Sequence, residues 1–141
     1  MPAKKCFTLL TFIVALIGSM LLTACGGGGG GGEPVTTIDV DMTEHTFTPN
    51  EFTVPSGAEI AINLNNIGKQ PHEFRILVLG AKADESVDKN GKSTRYWSNV
   101  AMAGENKSFN FTAPSEPGRY VIICSAVGHA EAGMVGTLWV K

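Results

Sequence analysis

Apolar and polar residues alternate in short runs from residue 36 onward, and Pro/Gly turn signals break those runs. Thr36 to Met42 alternates, and so does Phe47 to Val54, which is interrupted by Pro49-Asn50 and closed by Pro55-Ser56-Gly57. Ile60, Ile62 and Leu64 alternate with Ala61 and Asn63. A period of two is the mark of a strand with one face buried. Phe74 to Leu79 is almost continuously apolar and reads as a central strand covered on both faces. Phe109 and Phe111 alternate with Asn110 and Thr112, Pro114 to Gly118 turns the chain, and Tyr120–Cys124 and Thr137–Val140 supply the last two strands. Residues 80–100 are polar and charged and predict a longer loop or a short helix. Many short strands separated by turn residues predict an all-β chain folded as a β-sandwich.

The first 24 residues stand apart from this pattern. Lys4 and Lys5 precede an apolar run from Phe7 to Leu22, the layout of an export signal. The run ends in Leu22-Thr23-Ala24-Cys25, which resembles the lipobox of bacterial lipoproteins, where cleavage precedes a cysteine that receives lipid. An uncleaved anchor is the alternative, since the run approaches the ~20 residues that span a bilayer. Residues 25–35 are then the lipidated Cys25 and a tether built on Gly26 to Gly32. With Glu33 and Pro34 the stretch is nine residues and reaches roughly 15–18 Å. The remaining chain, 36–141, is the size of one small domain with a single core. Without residues 1–24 the chain holds 9 Lys+Arg against 13 Asp+Glu, with no basic stripe, which argues against nucleic acid as a partner. An exported protein, lipid-anchored on the periplasmic or extracytoplasmic side of a membrane, is the expectation.

Cys6 lies in the signal and Cys25 at the anchor, leaving Cys124 alone in the domain. A lone cysteine in an oxidising compartment has no partner to bridge. Such a thiol is either a small buried hydrophobe or in use. Its neighbours favour use: Cys124-Ser-Ala-Val-Gly-His129-Ala-Glu-Ala-Gly-Met134 puts a thiolate, an imidazole and a thioether on one short loop. Cys124 follows Tyr120 and Ile122 at even spacing, so its sulfur faces the core at a strand end. Gly128 and Gly133 allow the loop to bend tightly. A second imidazole, best supplied by His72 in Gln70-Pro71-His72-Glu73-Phe74, completes a His2Cys set with a weak axial Met. That set suits a single copper ion held for electron transfer better than zinc or a hard cation. His45, in Glu44-His45-Thr46, reads as a solvent-facing residue outside the site, and Met42 and Met102 read as packing residues.

Cys-x4-His-x4-Met followed by Gly136-Thr-Leu-x-Val140 resembles the copper loop of the cupredoxins, the blue copper proteins, and within them is closest to the auracyanins. Phe47-Thr-Pro, Val54-Pro-Ser-Gly57, Asn66-Ile-Gly-Lys-Gln-Pro-His72 and the approach from Ala113 to Tyr120 extend the resemblance over residues 36–141. Plastocyanins share much of it but place the second His closer to the Cys. The resemblance implies a Greek-key β-sandwich or barrel, with His72, Cys124 and His129 as equatorial ligands and Met134 as the long axial one. Pro71 before His72 matches the plastocyanin pattern and implies no fifth ligand. Glu73 departs from the pattern, standing where many members have an Asn whose amide ties the two ligand loops together. A carboxylate can accept from the Ser125 hydroxyl or a backbone N–H, but it cannot donate unless protonated.

The expected function is one-electron transfer between redox proteins, with a cytochrome complex, an oxidase or a photosynthetic reaction centre as partners of the kind the resemblance implies. The resemblance implies that the exposed imidazole edge of His129 is the electron port, with Val127, Ala130 and Ala132 making an apolar docking surface around it. The chain is expected to act as a monomer and not as an enzyme, because a copper enzyme needs an open coordination position. Storage or delivery of Cu(I) through the same residues is the alternative.

Overall fold

The computed structural model describes residues 32–85 and 89–141. The expected export signal, Cys25 and most of the expected glycine tether lie outside the described residues. Nine strands account for the regular structure: β1 Thr37–Thr43, β2 Thr46–Thr48, β3 Glu51–Val54, β4 Glu59–Asn66, β5 His72–Leu77, β6 Arg95–Ala101, β7 Asn106–Thr112, β8 Gly118–Ile123 and β9 Val135–Val140. Among the described residues there is no helix, and so none long and apolar enough to cross a membrane.

The strands form two mixed sheets, ordered β2-β1-β4-β7 and β3-β9-β8-β5-β6. Pairs β1/β4 and β3/β9 are parallel, and the other pairs are antiparallel. Pro49-Asn50 separates β2 from β3, and the chain changes sheet there. The alternation read from the sequence is the alternation of burial. Ile38, Val40, Met42, Ile60, Ile62 and Leu64 point in from the first sheet, and Phe74, Ile76, Tyr120, Ile122, Leu138 and Val140 from the second. Each large apolar side chain so buried contributes about 1.5–3 kcal/mol. Phe74 sits between Phe47 and Phe52, with ring centroids 5.3 and 6.1 Å away, joining the two sheets.

The expected loop or short helix over 80–100 is only partly a loop. The chain is irregular where described up to Thr94, then forms β6 along one side of β5. This strand is at a sheet edge and most of its residues are exposed or half-buried, so it carries no period-two signal. What holds it to the core is Trp97, stacked on Phe111 at 4.9 Å and edge-on to Phe109 at 6.2 Å.

The topology brings four connections to one end of the sandwich. Parallel β1 and β4 both finish there, as do β6 and β8, while β5 begins there. The turn at Glu44-His45, the 67–71 segment, the 102–105 turn and the 124–134 loop therefore cluster, and all the proposed ligands lie among them or at the start of β5.

Candidate metal centre

His72 is the first residue of β5 and points inward with Phe74 and Ile76; it is fully buried. Cys124 is the first residue past β8 and continues the inward row of Tyr120 and Ile122. The 124–134 loop then folds back on itself. The His129 N–H donates to Ala126 O at 3.0 Å, Ala132 to Gly128 at 3.0 Å, Gly133 to Ala130 at 3.0 Å, and Met134 to His129 at 2.9 Å. The Cys124 N–H donates to Met134 O at 3.1 Å, closing the loop at its base. Gly128 and Gly133, at φ 82° and 106°, occupy the left-handed conformations this path demands.

The result is convergence. Donor atoms of His72, Cys124 and His129, all buried, lie within 4.8 Å of one another. Nδ1 of His129 is 3.5 Å and Nδ1 of His72 3.9 Å from the Cys124 sulfur. Metal–nitrogen and metal–sulfur bonds of about 2.0 and 2.3 Å, opened to about 120°, separate N and S by roughly 3.8 Å, so one ion fits between them. Met134 is fully buried at the loop's end. Two imidazoles, one thiolate and one thioether make a soft set suited to a single copper ion.

The His129 imidazole is held in the ligating tautomer, while Nε2 of His72 is buried without a hydrogen-bond partner. With Nδ1 of His129 turned to the sulfur, its Nε2–H donates to Oε1 of Gln70 at 3.2 Å. Burial pushes the His72 imidazolium below the ordinary histidine range, and the neighbouring His129 adds to this, with Glu44 opposing and His45 reinforcing. The neutral form, which binds metal, is favoured. A Cβ at Gly68 would stand 3.0 Å from Nε2 of His72, so the bare backbone there lets the 67–71 segment close over the ring.

Three supporting residues escaped the sequence reading. Asn66, fully buried, donates through Nδ2 to Gln70 O at 2.8 Å and Ala101 O at 2.9 Å, and accepts from the Gly68 N–H at 3.0 Å. It ties the 67–71 segment to β6. Gln70 orients His129 as described. His45 is exposed, as expected, yet its ring meets His129 edge-on with centroids 5.0 Å apart. The imidazole edge expected to be exposed is therefore buried instead: with Gln70 hydrogen-bonded to it and His45 against it, His129 is only 7% exposed. Of the proposed docking residues, Val127 is fully exposed, Ala132 exposed and Ala130 half-buried.

Glu73 takes one of the roles open to it, accepting a hydrogen bond from the Ser125 hydroxyl. The Arg75 guanidinium pairs with it at 3.0 Å. Burial works to raise the Glu73 carboxyl, but hydrogen bonds from Ser125 and Ser98 and the charge of Arg75 outweigh it and hold the group below the usual carboxylate range.

A mixed two-sheet sandwich with a buried His2Cys cluster and a Met at the loop end defines a cupredoxin-like domain. The sequence matches that domain family over residues 10–139, and the chain belongs to it. Among characterised relatives it is 31% identical to auracyanin-B of Chloroflexus aurantiacus over 112 aligned residues, taking in 67% of this chain. The chain spans 46% of that relative's length. The fold is similar to the dithionite-reduced auracyanin of the photosynthetic bacterium Roseiflexus castenholzii, with 27% identity and a TM-score of 0.66 over 77% of this chain and 98% of that one. It is also similar to auracyanin A, a "blue" copper protein of Chloroflexus aurantiacus, with 25% identity and a TM-score of 0.60 over 77% and 99% of the two chains. This protein is thus a member of the cupredoxin-like family, similar to the auracyanins in sequence and fold.

Proposed function

We propose that the protein is a membrane-tethered carrier of single electrons, in which His72, Cys124, His129 and Met134 would hold a copper ion. The observation that carries this reading is the buried convergence of the three donor atoms on a loop whose own hydrogen bonds fix its shape. A copper ion held there supplies a Cu(II)/Cu(I) couple. The chain's part is to keep the four donors in place in both oxidation states. The 124–134 loop does this through its five internal bonds, β5 through its sheet pairing, and Asn66 and Gln70 through their side chains. Little rearrangement on electron transfer means a low barrier.

Electrons pass through the end of the sandwich that carries the site. Val127, Ala130 and Ala132 from the copper loop, joined by exposed Ile67 and Met102 from neighbouring turns, form a shallow apolar face. Redox partners of the cytochrome, oxidase or reaction-centre class meet through small transient contacts, for which such a face suffices. Cu(I) storage or delivery fits less well, because all three donors are buried and held by the fold rather than open to exchange. Catalysis fits less well still, since four protein donors around one ion leave no open position.

The deciding experiment is the visible spectrum of the protein loaded with one equivalent of Cu(II), beside a Cys124→Ser variant. An intense thiolate-to-copper band, bleached by ascorbate and absent from the variant, is expected. A pale spectrum indifferent to the substitution overturns the reading.

A further inference from the structure

Where the cupredoxin pattern puts an amide beside the first histidine, this chain puts a charged pair. β5 and β8 run antiparallel with Arg75 opposite Ile123 and Ile76 opposite Ile122. Continuing that register two places past the strand end sets Glu73 opposite Ser125. Glu73 and Arg75 share the outward face of β5, two residues apart. The carboxylate accepts from the Ser125 hydroxyl, and Nη2 of Arg75 reaches both of its oxygens, at 3.2 and 3.0 Å. Glu73 and Arg75 side chains are 12% and 21% exposed, so solvent screens the pair only partly. Glu73 follows His72 in the chain and Ser125 follows Cys124, so the contact joins the residues next to two ligands. The recess beside it is also lined by Asp84 and Glu131, the other acids near Arg75.

We propose that Glu73, clasped between Arg75 and Ser125, is a positioning residue that pins the copper loop to β5 and, with Arg75, sets the electrostatic field at the metal. The inference rests on the copper reading above. The charge argument has a definite sign. The oxidised centre carries one more positive charge than the reduced one, so a nearby anion favours Cu(II) and a nearby cation favours Cu(I). In the native protein the two side chains offset each other. Removing one exposes the other.

The test is the reduction potential of the copper-loaded chain in four forms: native, Glu73→Gln, Arg75→Gln and the double variant. Glu73→Gln leaves the guanidinium unopposed, and the potential rises. Arg75→Gln leaves the carboxylate unopposed, and the potential falls. The double variant, which restores local neutrality, returns close to the native value. Ser125→Ala keeps both charges and frees the loop, so the potential stays near native while copper is lost to a chelator several-fold faster. Shifts of the same sign in both single variants, no shift in either, or a double variant as displaced as a single one overturn the proposal. Where one single variant fails to fold, the other decides it together with the double form: Glu73→Gln must lie above, or Arg75→Gln below, both the native and the double variant. A blue band in the native protein with unmoved potentials sinks the clasp alone, whereas absence of that band sinks the copper reading itself.

Discussion

At the residue scale, the site depends as much on Asn66 as on the ligands. Its side chain makes three bonds, two donated and one accepted, from a fully buried position at the end of β4. No other residue type of that size both donates and accepts in this way. Asn66→Ala removes the donor to the buried Ala101 carbonyl and leaves the Gly68 N–H only its bond to Met42 O, a cost of about 1–3 kcal/mol, which lowers the melting temperature by roughly 5–20 °C. Asn66→Asp, nearly isosteric, keeps the acceptor but loses both donated bonds, and is expected to cost at least as much. Thermal melts of the metal-free proteins check this, and an Asp variant as stable as native would show that the donated bonds contribute nothing. This residue was legible in principle. Ile60, Ile62 and Leu64 point inward, and continuing by two reaches Asn66, a polar residue on a buried face that must find partners. The sequence could not say which partners, because Ala101 and Gln70 reach it through strand pairing and loop closure. His45 was less legible still. Only the pairing of β1 with β2 carries that turn to His129.

At the scale of elements, strands with one face in the core declared themselves and the edge strand did not. β4, β7 and β8 alternate because burial imposes a period of two. β6 has a single neighbour and an exposed face, so its residues answer to solvent and read as loop. The copper loop was the most legible element, since its chemistry lies in contiguous sequence, and its two glycines adopt the left-handed conformations expected of so tight a path. Its outer surface carries a further expectation. Val127 is fully exposed at the loop's tip while the ligands beneath it are buried. Val127→Asp should therefore leave the visible spectrum and copper content unchanged and slow electron transfer to a protein partner about tenfold, the cost of setting an unpaired charge into a small apolar contact. Stopped-flow rates with a redox-protein donor and with a small inorganic reagent separate the effects. Only the protein reaction should slow, and equal slowing of both would place the damage at the metal rather than the docking face.

At the scale of the whole molecule, the two ends of the sandwich have different tasks. β1 enters at Thr37, runs parallel to β4 and finishes at Thr43, beside the turn that covers His129. Seven residues of strand at about 3.3 Å each put roughly 23 Å between the start of β1 and the metal end. The chain ahead of Thr37 leads back to Gly26–Gly32 and Cys25, so the proposed anchor on Cys25 would hold the molecule by the end away from its site. On that proposal the metal end would face the aqueous space in which partners diffuse, and a tether reach of roughly 15–18 Å would let it tilt without burying that end. Two results follow. Protein extracted from membranes should have lost residues 1–24 and carry a lipid increment on Cys25, read as intact mass. The membrane-bound form and a soluble 33–141 form should then react with a small soluble reductant at equal rates, since the anchor shields nothing. An intact mass of the full chain would replace the lipid with an uncleaved apolar anchor. A several-fold slower membrane-bound form would mean that the metal end faces the bilayer, and the direction of β1 would no longer predict how the carrier presents itself.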